Sequence, residues 1–186
     1  YDDCVVLSYT QSGESTDIIH ATKWLKERGA KVIAITNSKS KTPSIAKFCD
    51  ELFFLEAGDE LAVPATKTFS IQLLVTAALA GINIKGKIEE LSQCLTNYLN
   101  SNHPLVLREF IDNKNVVLWL ARGVSQCAAL DSALKLQETV NFASFGYSSA
   151  EFLHGPIGST KKDDAIILFD SSNSDKENDI SKITKI

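Results

Sequence analysis

The chain has 186 residues, 44% hydrophobic and 23% charged, which is ordinary for a soluble globular protein and leaves room for one large domain or two small ones. A net charge of -4 with no basic stripe speaks against a nucleic-acid or anionic-membrane surface. The four cysteines (Cys4, Cys49, Cys94, Cys127) form no Cys-x-x-Cys pair and the three histidines (His20, His103, His154) are far apart, so a reducing cytoplasmic setting is expected, with neither a disulfide framework nor a metal site. No apolar run reaches the ~18 residues of a membrane helix and no signal peptide is recognisable. Methionine is absent and the first residues lead straight into a strand, so the chain reads as a segment from within a longer protein.

In chain order, residues 5–9 (Val-Val-Leu-Ser-Tyr) read as a strand, 15–28 as an amphipathic helix ended by Gly29, and 32–36 as a second strand. A short helix is expected over 43–48, a third strand over 51–55, and over 66–80 a helix apolar nearly all round, ended by Gly81. Residues 85–100 form a connecting helix closed by Asn-His-Pro at 102–104. The pattern then restarts, with a helix at 105–111, a strand at 116–120, an Arg122-Gly123 turn, a helix at 124–140 and a strand at 165–169. The polar stretches 161–164 and 171–182 mix both charge signs, as solvated surface does. Alternation of short apolar strands with helices predicts an α/β fold: two doubly wound parallel-sheet units in three-layer αβα form, with right-handed crossovers and both cut short. The first unit would span 1–82 and the second 103–186, joined by a connecting helix within 83–102.

Residues 5–17 hold the strongest chemical signal. A buried-type strand runs into a loop with three hydroxyls (Thr10, Ser12, Ser15) and Gly13, and a helix begins at once. Hydroxyl donors, a glycine that admits a ligand to the backbone, and the unpaired N–H groups of a helix start together suit a phosphate. Serines at a helix start are also ordinary N-caps, and the position after a strand of an open sheet is what favours the ligand reading. On the 124–140 helix, Asp131, Lys135 and Glu138 share one stripe, with Cys127, Leu130 and Leu134 expected toward a core. Such a stripe is usually a solvated ion-pair row, yet a carboxylate beside a lysine is what proton transfer next to a sugar carbonyl requires. His154, before Gly155-Pro156, sits at an expected helix end. A capping role and acid-base work on a ring oxygen are both open to it. The helix start at 63–68 (Val-Pro-Ala-Thr-Lys-Thr) puts Lys67 against the helix dipole, a mild sign of a nearby anion, with Pro64 and Thr66 as the plain structural account.

Four ordered motifs, Thr-Gln-Ser-Gly-Glu-Ser (10–15), Val-Pro-Ala-Thr-Lys (63–67), Ala-Leu-Lys-Leu-Gln-Glu (133–138) and Ala-Glu-Phe-Leu-His-Gly-Pro (150–156), resemble the sugar isomerase (SIS) family. The resemblance is strongest to its double-SIS group, which includes glucosamine-6-phosphate deaminases and the isomerase half of glutamine–fructose-6-phosphate aminotransferase. It implies that Thr10, Gln11, Ser12, Gly13 and Ser15 hold a sugar phosphate and that Val63 and Ala65 contact the sugar. Glu138 would move a proton between C1 and C2 with Lys135 as partner, and His154 would assist ring opening from a neighbouring subunit, making a homodimer. No cofactor is implied. Ala65 stands where aminotransferases carry serine, and Ser149-Ala150-Glu151 where they carry Ala-Gly-Glu; both lean toward the deaminase branch. Phe145 stands where both groups usually have glutamate.

The expected function is therefore isomerisation or deamination of a hexosamine 6-phosphate by a cytoplasmic enzyme whose partner is a small sugar phosphate. The alternatives are the aminotransferase's isomerase domain, a fructosamine-phosphate deglycase, and a non-catalytic phosphosugar sensor. A sensor would need the 10–15 loop but neither Glu138 nor His154.

Overall fold

The computed structural model describes residues 1–169; the expected surface segment at 171–182 lies outside them. The chain divides into two compact units, residues 1–90 and 91–186.

In the first unit, β1 (Val5–Thr10), β2 (Lys31–Thr36) and β3 (Glu51–Phe54) form a parallel sheet in the order β1-β2-β3, with Val5 opposite Lys31 and Ile33 opposite Glu51. β2 is central, and Val32, Ala34, Ile35 and Thr36 are buried. Helix α1 (Thr16–Lys26) covers one face, where Ser8 and Thr22 share a buried hydroxyl contact of 2.7 Å. Helix α2 (Lys67–Leu79) lies on the other, tied to it by Tyr9 Oη and Thr76 Oγ1 at 2.6 Å. Its apolar side and the sheet residues Leu7, Ile33, Ile35 and Phe53 line an open groove of about 610 Å³. The segment expected as a helix at 43–48 is a 3-10 turn, Ser44–Phe48.

Helix α3 (Ile88–Leu99) carries the junction between the units. Helix α4 (His103–Ile111) then begins two residues earlier than the pattern implied, because Pro104 fits its first turn, where a missing N–H costs nothing.

The second unit is built on β4 (Val117–Ala121), buried along its whole length. Its neighbours are β5 (Ser144–Ser148) and β6 (Ala165–Phe169), parallel and in the order β5-β4-β6. Alternation along β4 makes two cores. Val117, Trp119 and Ala121 pack with Ala129 and Ala133 of α5 (Gln126–Val140), flanked by Leu107 and Ile111 of α4. Leu118 and Leu120 pack with Phe152 of α6 (Ser149–His154) on the opposite face. Each unit is thus an α/β layer structure of the expected kind, with three strands apiece among the described residues. The matching strands 5–9 and 116–120 differ in place, since β1 lies at the edge of its sheet and β4 at the centre. Both do feed a positive-φ glycine, Gly13 and Gly123.

Two details correct the sequence reading. The sequence pattern predicts no strand between 140 and 165, yet Ser144–Ser148 forms β5. The α5 face is also turned from its expected phase: Ala129 and Ala133 face the core, while Cys127, Leu130 and Leu134 are exposed.

Candidate functional site

The turn after β1 is stitched by its own hydroxyls. Thr10 Oγ1, buried, accepts the Gly13 N–H at 3.2 Å and lies 3.4 Å from Ser15 Oγ; Ser12 Oγ accepts the Glu14 N–H at 3.1 Å. Ser15 occupies the N-cap position of α1, yet its side chain makes no capping bond. The capping explanation of these hydroxyls is therefore not realised, and the first-turn N–H groups of α1 are left without a side-chain acceptor from Ser15. Gly13 is needed for a reason beyond ligand approach. Its φ is +75°, and a Cβ there would stand 2.5 Å from Pro43 Cβ. Glu14, at the mouth of the turn, accepts from the Ser44 N–H at 2.9 Å, and its hydrogen bonds from Ser44 hold its carboxyl below the usual range.

The turn is joined to the next loop along the sheet's carboxyl edge. The Gln11 carbonyl accepts from the Asn37 N–H at 3.1 Å and from Thr36 Oγ1 at 3.2 Å. Val63 and Ala65 lie in the irregular segment between β3 and α2, with Val63 87% exposed. Here the anion hinted at by Lys67 proves to be internal. Glu60 Oε1 accepts the N–H groups of Thr66 and Thr68 at 3.1 and 2.7 Å, and those bonds hold its carboxyl low. Thr66 takes the N-cap position without a side-chain bond. Lys67 Nζ bonds the Asp59 carbonyl.

In the second unit, the α5 stripe is a charged cluster in which Asp131 and Lys135 are half-buried and Glu138 lies at the exposed end. Lys135 Nζ sits 2.9 Å from Glu138 Oε2 and 3.6 Å from Asp131 Oδ1, with the three side chains 21%, 29% and 25% exposed respectively. Burial pushes the Asp131 carboxyl up from its ordinary value, against the pull of Lys135. Chemically, the cluster offers a carboxylate able to carry a proton and a cation held beside it. His154 is exposed at the last position of α6 and, among the described residues, hydrogen-bonds to neither Lys135 nor Glu138.

Sequence reasoning missed Asn37 and Glu60. Glu60 had one legible sign, an acid just upstream of a helix whose first turn holds none. Asn37 had none, because its role depends on which loops the sheet order brings together. Among the described residues, no group of three or more His, Cys, Asp or Glu side chains could hold a metal ion, and no helix is long and apolar enough to cross a membrane.

Parallel three-strand sheets flanked by helices, with a hydroxyl-lined turn between β1 and α1, place the protein in the α/β class of open parallel-sheet folds. The SIS domain model matches residues 1–81 and 109–180, and the chain belongs to that family. It is 36% identical over 167 residues to a glutamine–fructose-6-phosphate aminotransferase of Rhizobium meliloti (strain 1021), covering 81% of this chain and 27% of the relative. The C-terminal domain of glucosamine-fructose-6-phosphate aminotransferase from Francisella tularensis superposes with a TM-score of 0.74 at 25% identity, covering 97% of this chain and 55% of that one. The glucosamine-6-phosphate deaminase of Thermotoga maritima superposes with a TM-score of 0.84 at 23% identity, over 100% of this chain and 57% of its own, a likeness of fold. The chain thus spans about a quarter to a third of the curated relatives it matches, 27% in one case and 33% in another.

Proposed function

We propose that the protein binds a hexosamine 6-phosphate and isomerises it between the 2-amino aldose and its C2 imine, the form from which water would release ammonia and leave the ketose phosphate. The observation that carries this reading is the partly buried Asp131–Lys135–Glu138 cluster in a chain of the SIS family, since a module that only sensed phosphosugars would have no use for it. The hydroxyls of Thr10, Ser12 and Ser15, the Gln11 and Gly13 segment and the α1 N-terminus hold the phosphate. Val63 and Ala65 meet the sugar. His154, from a neighbouring subunit of a homodimer, assists ring opening. Glu138 then takes the proton from C2 and returns it to C1, while Lys135 steadies the developing oxyanion. Anchoring at the far phosphate is converted into positioning at the reacting carbons.

The curated relatives support assignment to the isomerase half of an aminotransferase. A second reading, deamination without glutamine, is favoured by Ala65 and by Ser149-Ala150-Glu151. Ammonia release from glucosamine 6-phosphate by the full-length protein without glutamine would support the deaminase; glutamine-dependent synthesis of the amino sugar would support the aminotransferase. The substitution Glu138→Gln tests the enzyme reading itself. Turnover should fall by at least about a hundredfold while sugar-phosphate binding persists. Unchanged turnover would refute the role given to Glu138, and a wild-type protein that binds the sugar phosphate without converting it would be a sensor.

A further inference from the structure

Between β3 and α2 the chain runs through a stretch without regular structure, residues 55–66, which holds Glu56 at φ +52° and Gly58 at φ +76°. Its base is tightly held. Asn37, one residue past β2, spends three of its side chain's hydrogen-bonding sites on this region. Its Nδ2 donates to the Gly58 carbonyl at 2.9 Å and to Thr68 Oγ1 at 3.0 Å, and its Oδ1 accepts the Ala57 N–H at 2.9 Å. The Glu60 carboxylate closes the other side by accepting the N–H groups of Thr66 and Thr68. Lys39 adds an ion pair to Asp59 at 2.9 Å. Beyond this base the tip projects, with Leu61 92% and Val63 87% exposed. Apolar side chains held out on a clasped loop are arranged for contact with something outside the loop.

Asn37 also reaches the other way. Its own N–H donates to the Gln11 carbonyl at 3.1 Å, inside the hydroxyl-lined turn. One residue therefore joins the turn at 10–15 to the loop at 57–66 along the carboxyl edge of the same sheet. We propose that Asn37 and Glu60 are positioning residues that hold the 57–66 loop at a fixed offset from the anion-binding turn, so that the loop tip reads the sugar while the turn holds the phosphate. This rests on the phosphosugar reading above and adds the device that sets its selectivity. Neither residue touches the reacting atoms.

The test compares two ligands on the full-length protein by calorimetry, glucosamine 6-phosphate and inorganic phosphate, for wild type, Glu60→Ala, Glu60→Gln and Asn37→Ser. The wild type should prefer the sugar phosphate. Glu60→Ala and Asn37→Ser should each cut that preference by about tenfold with inorganic phosphate binding unchanged, and Glu60→Gln, which keeps an acceptor oxygen, should recover part of it. A purely structural role would weaken both ligands together and would overturn the proposal, as would a preference kept intact in the variants. Should Glu60→Ala fail to fold, Asn37→Ser decides alone by the same ratio. A wild type with no preference for the sugar phosphate would refute the phosphosugar reading and this inference together, an outcome distinct from loss of the inference alone.

Discussion

Gly13 is held by two independent constraints, a left-handed backbone and a missing side chain that leaves room for Pro43. Alanine there would meet both, and Gly13→Ala should lose about 1–3 kcal/mol of stability in urea denaturation, with weaker phosphate binding. An unchanged midpoint would contradict the geometry. Carboxylates set the acid response. Asp50 is held low by its Lys26 partner and by the Val32 N–H, which it accepts at 2.7 Å; Glu14 is held low by Ser44 and Glu60 by Thr68. Because folding depresses these values, their contribution is present above the ordinary carboxylate range and disappears as pH falls through the depressed values. Melting temperature should therefore drop on acidification below that range. The gap between wild type and Asp50→Asn should narrow over the same interval; a gap independent of pH would contradict the assignment.

At the scale of elements, α5 matters most because it carries Lys135 and Glu138. Gly146 of β5 sets how closely that helix lies on the sheet: a Cβ there would stand 2.8 Å from both the Ala129 carbonyl oxygen and Leu130 Cα. Those atoms are backbone, so the whole helix must move to admit it. Gly146→Ala should lower kcat by about tenfold or more with less change in KM, measured by steady-state kinetics of the full-length protein. An unaltered kcat would mean that helix height is not critical. The same close approach explains what the sequence concealed. Ser144 to Ser148 holds a glycine and two serines in place of a β-branched run, so β5 lacks the usual strand signal, although its register along β4 is continuous. A helix lying that close takes alanines inward, which is why the larger Leu130 and Leu134 face outward against their hydrophobic pattern. The strong apolar runs of β2, β4 and β6 were legible, and so was the hydroxyl turn after β1. The Asn37 and Glu60 contacts were not, because they join loops that only the sheet order makes neighbours.

At the scale of the molecule, the chain consists of two compact units, residues 1–90 and 91–186, in a protein of the SIS family. The proposal that His154 serves a neighbouring subunit has a direct consequence. Full-length His154→Ala and Glu138→Gln, each inactive alone, should regain partial activity when mixed and allowed to exchange subunits, since one site of the mixed dimer has both residues intact. Absence of complementation in demonstrated mixed dimers would place His154 in its own subunit's site or outside the reaction. The proposed function rests above all on proton transfer at C2 of the sugar by Glu138. Its most direct test is exchange of the C2 hydrogen of glucosamine 6-phosphate or fructose 6-phosphate C1 hydrogens with deuterated solvent, followed by NMR on the full-length protein. Exchange should be seen with the wild type and be lost in Glu138→Gln although the ligand still binds; exchange persisting at wild-type rate in the variant, or absent from the wild type with ligand bound, would rule out this role for Glu138.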